Sequence, residues 1–121
     1  MAEASDERRR APRHAVELAA ILVTSERLIA RGVILDINQY GCRIQAPDFE
    51  APERFYVIDV ASSTAYDARA MWRQPPLVGT RFMTTWDLAA ADAPQWLADI
   101  RTGVVRADAA ERGIRVVWSA P

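Results

Sequence analysis

Two polar side chains follow directly on an apolar stretch in the first third of the sequence. Asp36 and Asn38 come after residues 32–35, and residues two positions apart on an extended chain leave by the same face. Ile37, between them, points the other way, into a predicted core. Gly41 allows the backbone to turn at a positive φ or to approach a ligand closely. Two polar side chains beside a turn with free N–H groups suit a polar, anion-bearing ligand.

A cluster of basic residues lies near the start of the sequence. Residues 8–13 carry four arginines and no acid, whereas the whole chain has a net charge of −1. Any attraction for an anion must therefore come from local charge. Arginine pairs bidentately with phosphate, and its planar head also stacks on bases. We expect residues 1–13 to form a flexible arm that folds over an anionic ligand; the alternative is a solvated basic tail that pairs with Asp6 and Glu7.

These two groups of residues share their spacing with a known family. Arg9 and Arg13 are spaced as RxxxR, and Asp36, Asn38 and Gly41 follow as DxNxxG. Together they resemble the RxxxR and [D/N]xSxxG motifs of the PilZ domain family, small bacterial receptors for the second messenger cyclic di-GMP. Asn38 stands where the family usually has Ser, and it keeps hydrogen-bonding groups in a larger side chain.

The resemblance extends to later strands and covers roughly residues 7–86. Residues 68–73 (ARAMWR) and 78–82 (VGTRF) are similar to family strands that often read AxVxWR and VGxxF. The resemblance implies a mainly β fold, a six-stranded antiparallel PilZ-like β-barrel with a C-terminal helix. It also implies cyclic di-GMP as the ligand and an effector protein as the partner that reads the bound state.

The resemblance further implies which residues would hold the ligand. They are Arg8, Arg9, Arg13, Asp36, Asn38 and Gly41. The arginines would clamp guanine and phosphate, because guanine O6 and N7 are acceptors that match the arginine fork. The carboxylate, the amide and the backbone near the glycine would hold the other base or the phosphate, since the guanine N1–H and N2–H groups need an acceptor.

Apolar and polar residues alternate in short segments separated by turn residues, which is typical of an antiparallel β-protein. Strands are predicted at about residues 16–22, 28–37, 42–46, 55–60, 66–73 and 77–84. The chain is thereby divided into an arm (residues 1–13), a barrel (residues 14–86) and a C-terminal helix with an apolar tail (residues 87–121).

The C-terminal part changes to helical periodicity. A helix is predicted over about residues 94–105, with Asp92 as its N-cap and Pro94 just inside. Residues 107–112 either extend this helix or form a further turn. Residues 114–118 are either another strand or an apolar tail that forms core, a dimer interface or a partner surface.

Three residues that could carry chemistry are interpreted as structural. Trp72 is predicted to lie on the same strand face as Tyr66 and Ala70 and therefore to anchor the core. Base stacking is its less favoured role. Cys42, the only cysteine, occupies one of the apolar positions in an alternating strand, so it is predicted to be buried rather than reactive. His14, the only histidine, is predicted to be an ordinary strand residue.

The rest of the sequence favours a binding module over an enzyme. It contains no H-E-x-x-H, no G-x-S-x-G, no Gly-rich P-loop and no Cys/His pair with metal-ligand spacing. A lone cysteine and the lack of an apolar run of ~20 residues lead us to expect a cytoplasmic protein without membrane insertion. The near-neutral charge argues against a DNA-binding or single-strand-binding barrel. A homodimer is compatible with the sequence. The alternative function is an orphan PilZ-like interaction module that binds no nucleotide.

Overall fold

The computed structural model describes residues 14–111 of the chain. Within them lie β1 (His14–Val23), β2 (Ile29–Ile37), β3 (Gly41–Gln45), β4 (Arg54–Asp59), β5 (Thr64–Gln74), β6 (Leu77–Asp87) and α1 (Gln95–Glu111). All paired strands are antiparallel. The predicted mainly β fold, with six antiparallel strands in one sheet and a C-terminal helix, is therefore confirmed.

The sheet closes on itself. Its hydrogen-bonded order is β1-β2-β3-β6-β5-β4, and β1 also pairs with β4, so the strands form a closed barrel. Because all neighbours are antiparallel, the connections lie at two opposite ends. We call one the arm end; it holds the first residue of β1, the β2–β3 turn and the β4–β5 turn. The other, the loop end, holds the β1–β2 turn, the β3–β4 loop and the β5–β6 turn.

Two apolar clusters share strands β1 and β4. Ala20 and Leu22 point into the barrel, while Ile21 and Val23 point outward beneath α1. Leu97 of α1 is fully buried in this outer cluster, and burial of one such side chain stabilises the fold by about 1.5–3 kcal/mol. Both faces of β1 are therefore covered, which explains why residues 20–23 are all buried.

The helix differs from its prediction at both ends. It begins at Gln95 and continues through the exposed Gly103 to Glu111, so the alternative of an extended helix is confirmed as far as Glu111. Asp92 is not the N-cap, because the N–H of Leu97 donates to the carbonyl of Pro94 at 3.1 Å and the first turn starts there. Residues 114–118 lie outside the described part of the chain.

The regular pairing of the strands is interrupted at four places. Between β1 and β2, residues 16 and 17 lie opposite Leu35 alone. Ile34 pairs with Ile44 and Asp36 with Arg43, so Leu35 is an extra residue in β2. In the pairing of β5 with β6, Met71 is likewise an extra residue in β5, and Met83 is an extra residue in β6. Each β-bulge shifts the alternation of its strand by one, so side chains that follow it change face.

Candidate functional site

The β2–β3 turn at the arm end is closed by the side chain of Asn38. Its Oδ1 accepts the N–H of Tyr40 at 2.8 Å and the N–H of Gly41 at 3.1 Å, and its own N–H donates to the Gly41 carbonyl at 3.0 Å. This is the local bonding by which Asn favours turns. The prediction of free N–H groups in this turn is therefore wrong for Tyr40 and Gly41, because Asn38 already accepts both.

Gly41 has a different role from the predicted one. Its φ lies outside the left-handed region, so the expectation of a positive-φ turn is wrong. The glycine is buried at the start of β3, and a Cβ placed on it would lie 2.0 Å from the Thr80 carbonyl oxygen. Glycine is thus required here because β3 and β6 approach each other closely.

Asp36 faces outward and forms an ion pair across the sheet. Its Oδ2 lies 2.8 Å from Nε of Arg43, and the Asp36 side chain is only 16% exposed. Nε makes no well-directed hydrogen bond, so the contact is mainly electrostatic. Ile37 points into the barrel and packs on the inner cluster, as predicted. Sequence reasoning missed Arg43, whose only signal was its position in the strand that pairs with Asp36.

Trp72 does not anchor the core, which corrects the prediction. The Met71 bulge places it opposite Gly79 on the outer face, where it is 39% exposed. A Cβ on Gly79 would lie 2.2 Å from Cε2 of the indole, so the ring rests directly on the glycine backbone. The indole is therefore supported from beneath and accessible from outside.

Asp36, Arg43, Gly79 and Trp72 form one row across four strands. Asp36 is opposite Arg43, Arg43 is opposite Gly79, and Gly79 is opposite Trp72. The glycine leaves a low point in this row between the guanidinium and the indole. A carboxylate, a guanidinium and an aromatic face thus follow one another on the outer wall, from Asp36 beside the arm end to Trp72, two residues before the end of β5 at the loop end.

The barrel interior near the arm end contains a tyrosine and a buried acid. Tyr66 stacks on Phe82, with ring centroids 3.9 Å apart. Burial, and then the nearby Asp59 and Cys42, raise the pKa of the Tyr66 hydroxyl above its ordinary value, so it stays a protonated donor. Asp59 is 6% exposed, and its Oδ1 accepts no hydrogen bond from any described residue.

The predicted arginines, Arg8, Arg9 and Arg13, lie outside the described residues. What the structure gives is where the arm joins the barrel. His14 pairs with Ile37 and Ala15 with Asp36, so the chain enters β1 beside the β2–β3 turn. His14 is an exposed strand residue and Cys42 is fully buried, as predicted for both.

No family model, no curated protein and no solved structure matches this chain. Within residues 14–111, no helix is long and apolar enough to cross a membrane. The same residues contain no group of three or more His, Cys, Asp or Glu that could hold a metal ion. The chemistry of the arm end therefore has to carry any inference about function.

Proposed function

We propose that this protein is a cytoplasmic PilZ-like receptor for cyclic di-GMP. The ligand is held between the arginine arm and the β2–β3 turn, and an effector protein reads the surface that results. The observation that carries this proposal is the pairing of His14 with Ile37 and of Ala15 with Asp36, which attaches the arm beside the turn. In this proposal, the motif that precedes His14 and the motif of the β2–β3 turn share one end of the closed six-stranded barrel.

The length of the arm is compatible with a shared site. Arg13 is bonded to His14, and Arg9 lies five positions before His14. Five residues reach at most about 17 Å. Both guanidiniums can therefore approach a dinucleotide that lies against Asp36, because His14 and Asp36 belong to the same strand pair.

In this proposal, Asp36 accepts hydrogen bonds from the ligand and Asn38 donates one to it. A carboxylate has about four lone-pair positions, so the ion pair with Arg43 does not by itself prevent Asp36 from accepting a hydrogen bond from guanine N1–H or N2–H. The oxygen of Asn38 accepts two backbone N–H groups, and in this proposal its amide nitrogen contacts the ligand. That nitrogen is a donor, which suits a phosphate oxygen or guanine O6.

Trp72 and Arg43 extend the site along the outer wall. The indole lies against Gly79 and is 39% exposed, so it offers aromatic surface on which a purine can stack. Arg43 stands between this face and Asp36 in the same row and supplies a guanidinium for a phosphate. Trp72 thus takes the stacking role that the sequence had placed second.

Calorimetric titration with cyclic di-GMP tests the proposal. The wild-type chain should bind, and an Arg9→Ala/Arg13→Ala double variant should lose at least about a hundredfold in affinity, as expected for two charge-assisted contacts. An Arg31→Ala/Arg106→Ala variant removes the same charge elsewhere and should bind normally. Unchanged binding in the Arg9/Arg13 variant would show that the arm does not clamp the ligand.

A second candidate is a PilZ-like interaction module that binds no nucleotide. It is favoured by Asn38, which replaces the usual Ser and uses its oxygen to close the turn. If the folded wild-type chain gives no heat at high concentrations of cyclic di-GMP, this candidate replaces the receptor.

A further inference from the structure

A recess opens at the loop end, between the β1–β2 turn and the β3–β4 loop. Its volume is about 480 Å³, which is within the range of binding pockets. Thr24, Ser25, Glu26, Leu28, Ile29 and Ala30 line one side, and Asp48, Phe49, Glu50 and Pro52 line the other. None of these residues is basic, although arginine is common in the chain.

Three exposed carboxylates, those of Glu26, Asp48 and Glu50, surround the recess. None of them pairs with an arginine in the described part of the chain. By contrast, Asp36 and Asp67 on the barrel wall each have an arginine within 2.8 Å. The recess therefore carries a negative charge that its own walls leave uncompensated.

Apolar side chains lie among these acids. Leu28 is 64% exposed and Ile29 is 49% exposed, although both are large aliphatic residues. Phe49 packs edge-on against the buried Phe55, with ring centroids 5.1 Å apart, so this part of the recess is fixed to the core. The exposed apolar surface is thus held in place and available for contact.

Arg27 lies in the same turn but is directed away from the recess. Its φ of 65° is in the left-handed region, which is unfavourable for a residue with a Cβ. Its guanidinium lies 4.5 Å from the ring centroid of Trp96 on α1. Arg27, the only basic residue of this turn, thus contacts the helix, whereas Glu26 lines the recess.

We propose that this recess binds a segment of a partner protein in which an arginine or lysine stands next to a large aliphatic or aromatic side chain. The charge of the recess requires the cation, and Leu28, Ile29 and Phe49 receive the apolar side chain. The six strands within residues 14–111 form a closed barrel with no free edge among them, so recognition uses side chains and not an added strand. Binding here does not depend on cyclic di-GMP at the arm end.

A neighbouring recess gives the segment a direction. It has a volume of about 370 Å³ and shares Phe49 and Glu50 with the first. Its far side is formed by Arg73, Pro75 and Pro76, and Nε of Arg73 donates to the carbonyl of Ala51 at 2.7 Å. An extended segment that fills the first recess therefore continues across the β3–β4 loop toward the β5–β6 turn.

Fluorescence anisotropy with a labelled peptide, Gly-Arg-Leu-Arg-Phe-Gly, tests the charge requirement on the full chain. The peptide should bind saturably at physiological salt. Peptides with Gln for Arg, or with Ser for Leu and Phe, should bind several-fold more weakly. A Glu26→Gln/Asp48→Asn/Glu50→Gln variant should lose about tenfold in affinity, as expected for partly exposed ion pairs.

A matched control is Glu17→Gln/Asp92→Asn/Glu111→Gln, which removes three exposed carboxylates outside the recess and should bind like the wild type. An equal loss in this control would show that attraction is only to net charge and would overturn the proposal. Lack of saturable binding would overturn it as well.

A photo-reactive benzoylphenylalanine at position 28, which is well exposed, identifies the occupant. Cross-linking to the added peptide supports the proposal. Cross-linking to residues 112–121 of the same chain, or to a second copy, in the absence of peptide would show a different occupant and would overturn it.

Discussion

The two ends of the barrel use similar turns but handle their charges differently. A side-chain oxygen bonds to the backbone in each turn, from Asn38 at the arm end and from Thr24 at the loop end. At the arm end, Asp36 is paired with Arg43. At the loop end, Glu26 lies among two further carboxylates that have no arginine partner in residues 14–111.

The difference underlies our proposals that one small barrel serves two kinds of partner. A carboxylate that is already paired and largely buried is held in position, so it can orient the donors of a small ligand. Unpaired, exposed carboxylates beside Leu28 and Ile29 give a surface that is compensated only when a cation arrives. We expect the arm end to select by geometry and the loop end to select by charge.

The largest expected effect concerns the close packing beneath the arm end. Gly41→Ala should lower the free energy of unfolding by about 3 kcal/mol, because its Cβ would lie 2.0 Å from the Thr80 carbonyl. Gly103→Ala is the control; nothing lies within 4 Å of that Cβ, so helix propensity alone should stabilise by about 0.5–1 kcal/mol. Urea unfolding measures both. Equal, small changes in the two variants would mean that β3 and β6 are not packed as described.

Trp72→Ala separates the two proposed binding sites. We expect about a tenfold loss in affinity for cyclic di-GMP, which corresponds to about 1.4 kcal/mol and is within the range for one stacked base. Binding of the arginine-containing peptide at the loop end should not change. The two titrations are run on the same preparation, and parallel losses in both would indicate general damage to the barrel.

Asn38→Ala should destabilise the arm end modestly. The variant loses the acceptor for the N–H groups of Tyr40 and Gly41, which should cost about 1 kcal/mol of unfolding free energy. Asn38→Asp keeps the acceptor and should retain most of that stability in the absence of ligand. It loses the amide donor, however, so its affinity for cyclic di-GMP should fall. If Asn38→Asp binds as tightly as the wild type, the amide nitrogen does not contact the ligand.

The smallest effect is expected from Tyr66 and appears only at alkaline pH. Burial first, and then Asp59 and Cys42, raise the pKa of Tyr66 in the folded chain. The folded state therefore resists ionisation, and the associated stability is complete below about pH 10 and lost as the pH rises through the folded-state pKa. Tyr66→Phe should flatten this alkaline loss without changing the pH dependence near neutrality. Urea midpoints across the pH range measure it, and identical slopes for both proteins would contradict it.

The alternation of polar and apolar residues was sufficient to predict six antiparallel strands, and the helical periodicity after them was sufficient to predict a C-terminal helix. Alternation reports which side chains can be buried, and Ile37 and Cys42 point inward as their positions indicated. The outer face of β1 was not predictable in the same way. Ile21 and Val23 are buried only because α1 packs over them, and α1 is distant in the sequence.

For the site, the residue types, their spacing and the outward direction of Asp36 could be predicted from the order of the residues. The pairing of Arg43 with Asp36, the closure of the turn by Asn38 and the position of Trp72 outside the core depend on how the strands pair. The physical reason is the β-bulge. One extra residue, such as Met71, leaves the composition of a strand unchanged but reverses the face of every side chain after it, and that residue is recognisable only against the partner strand.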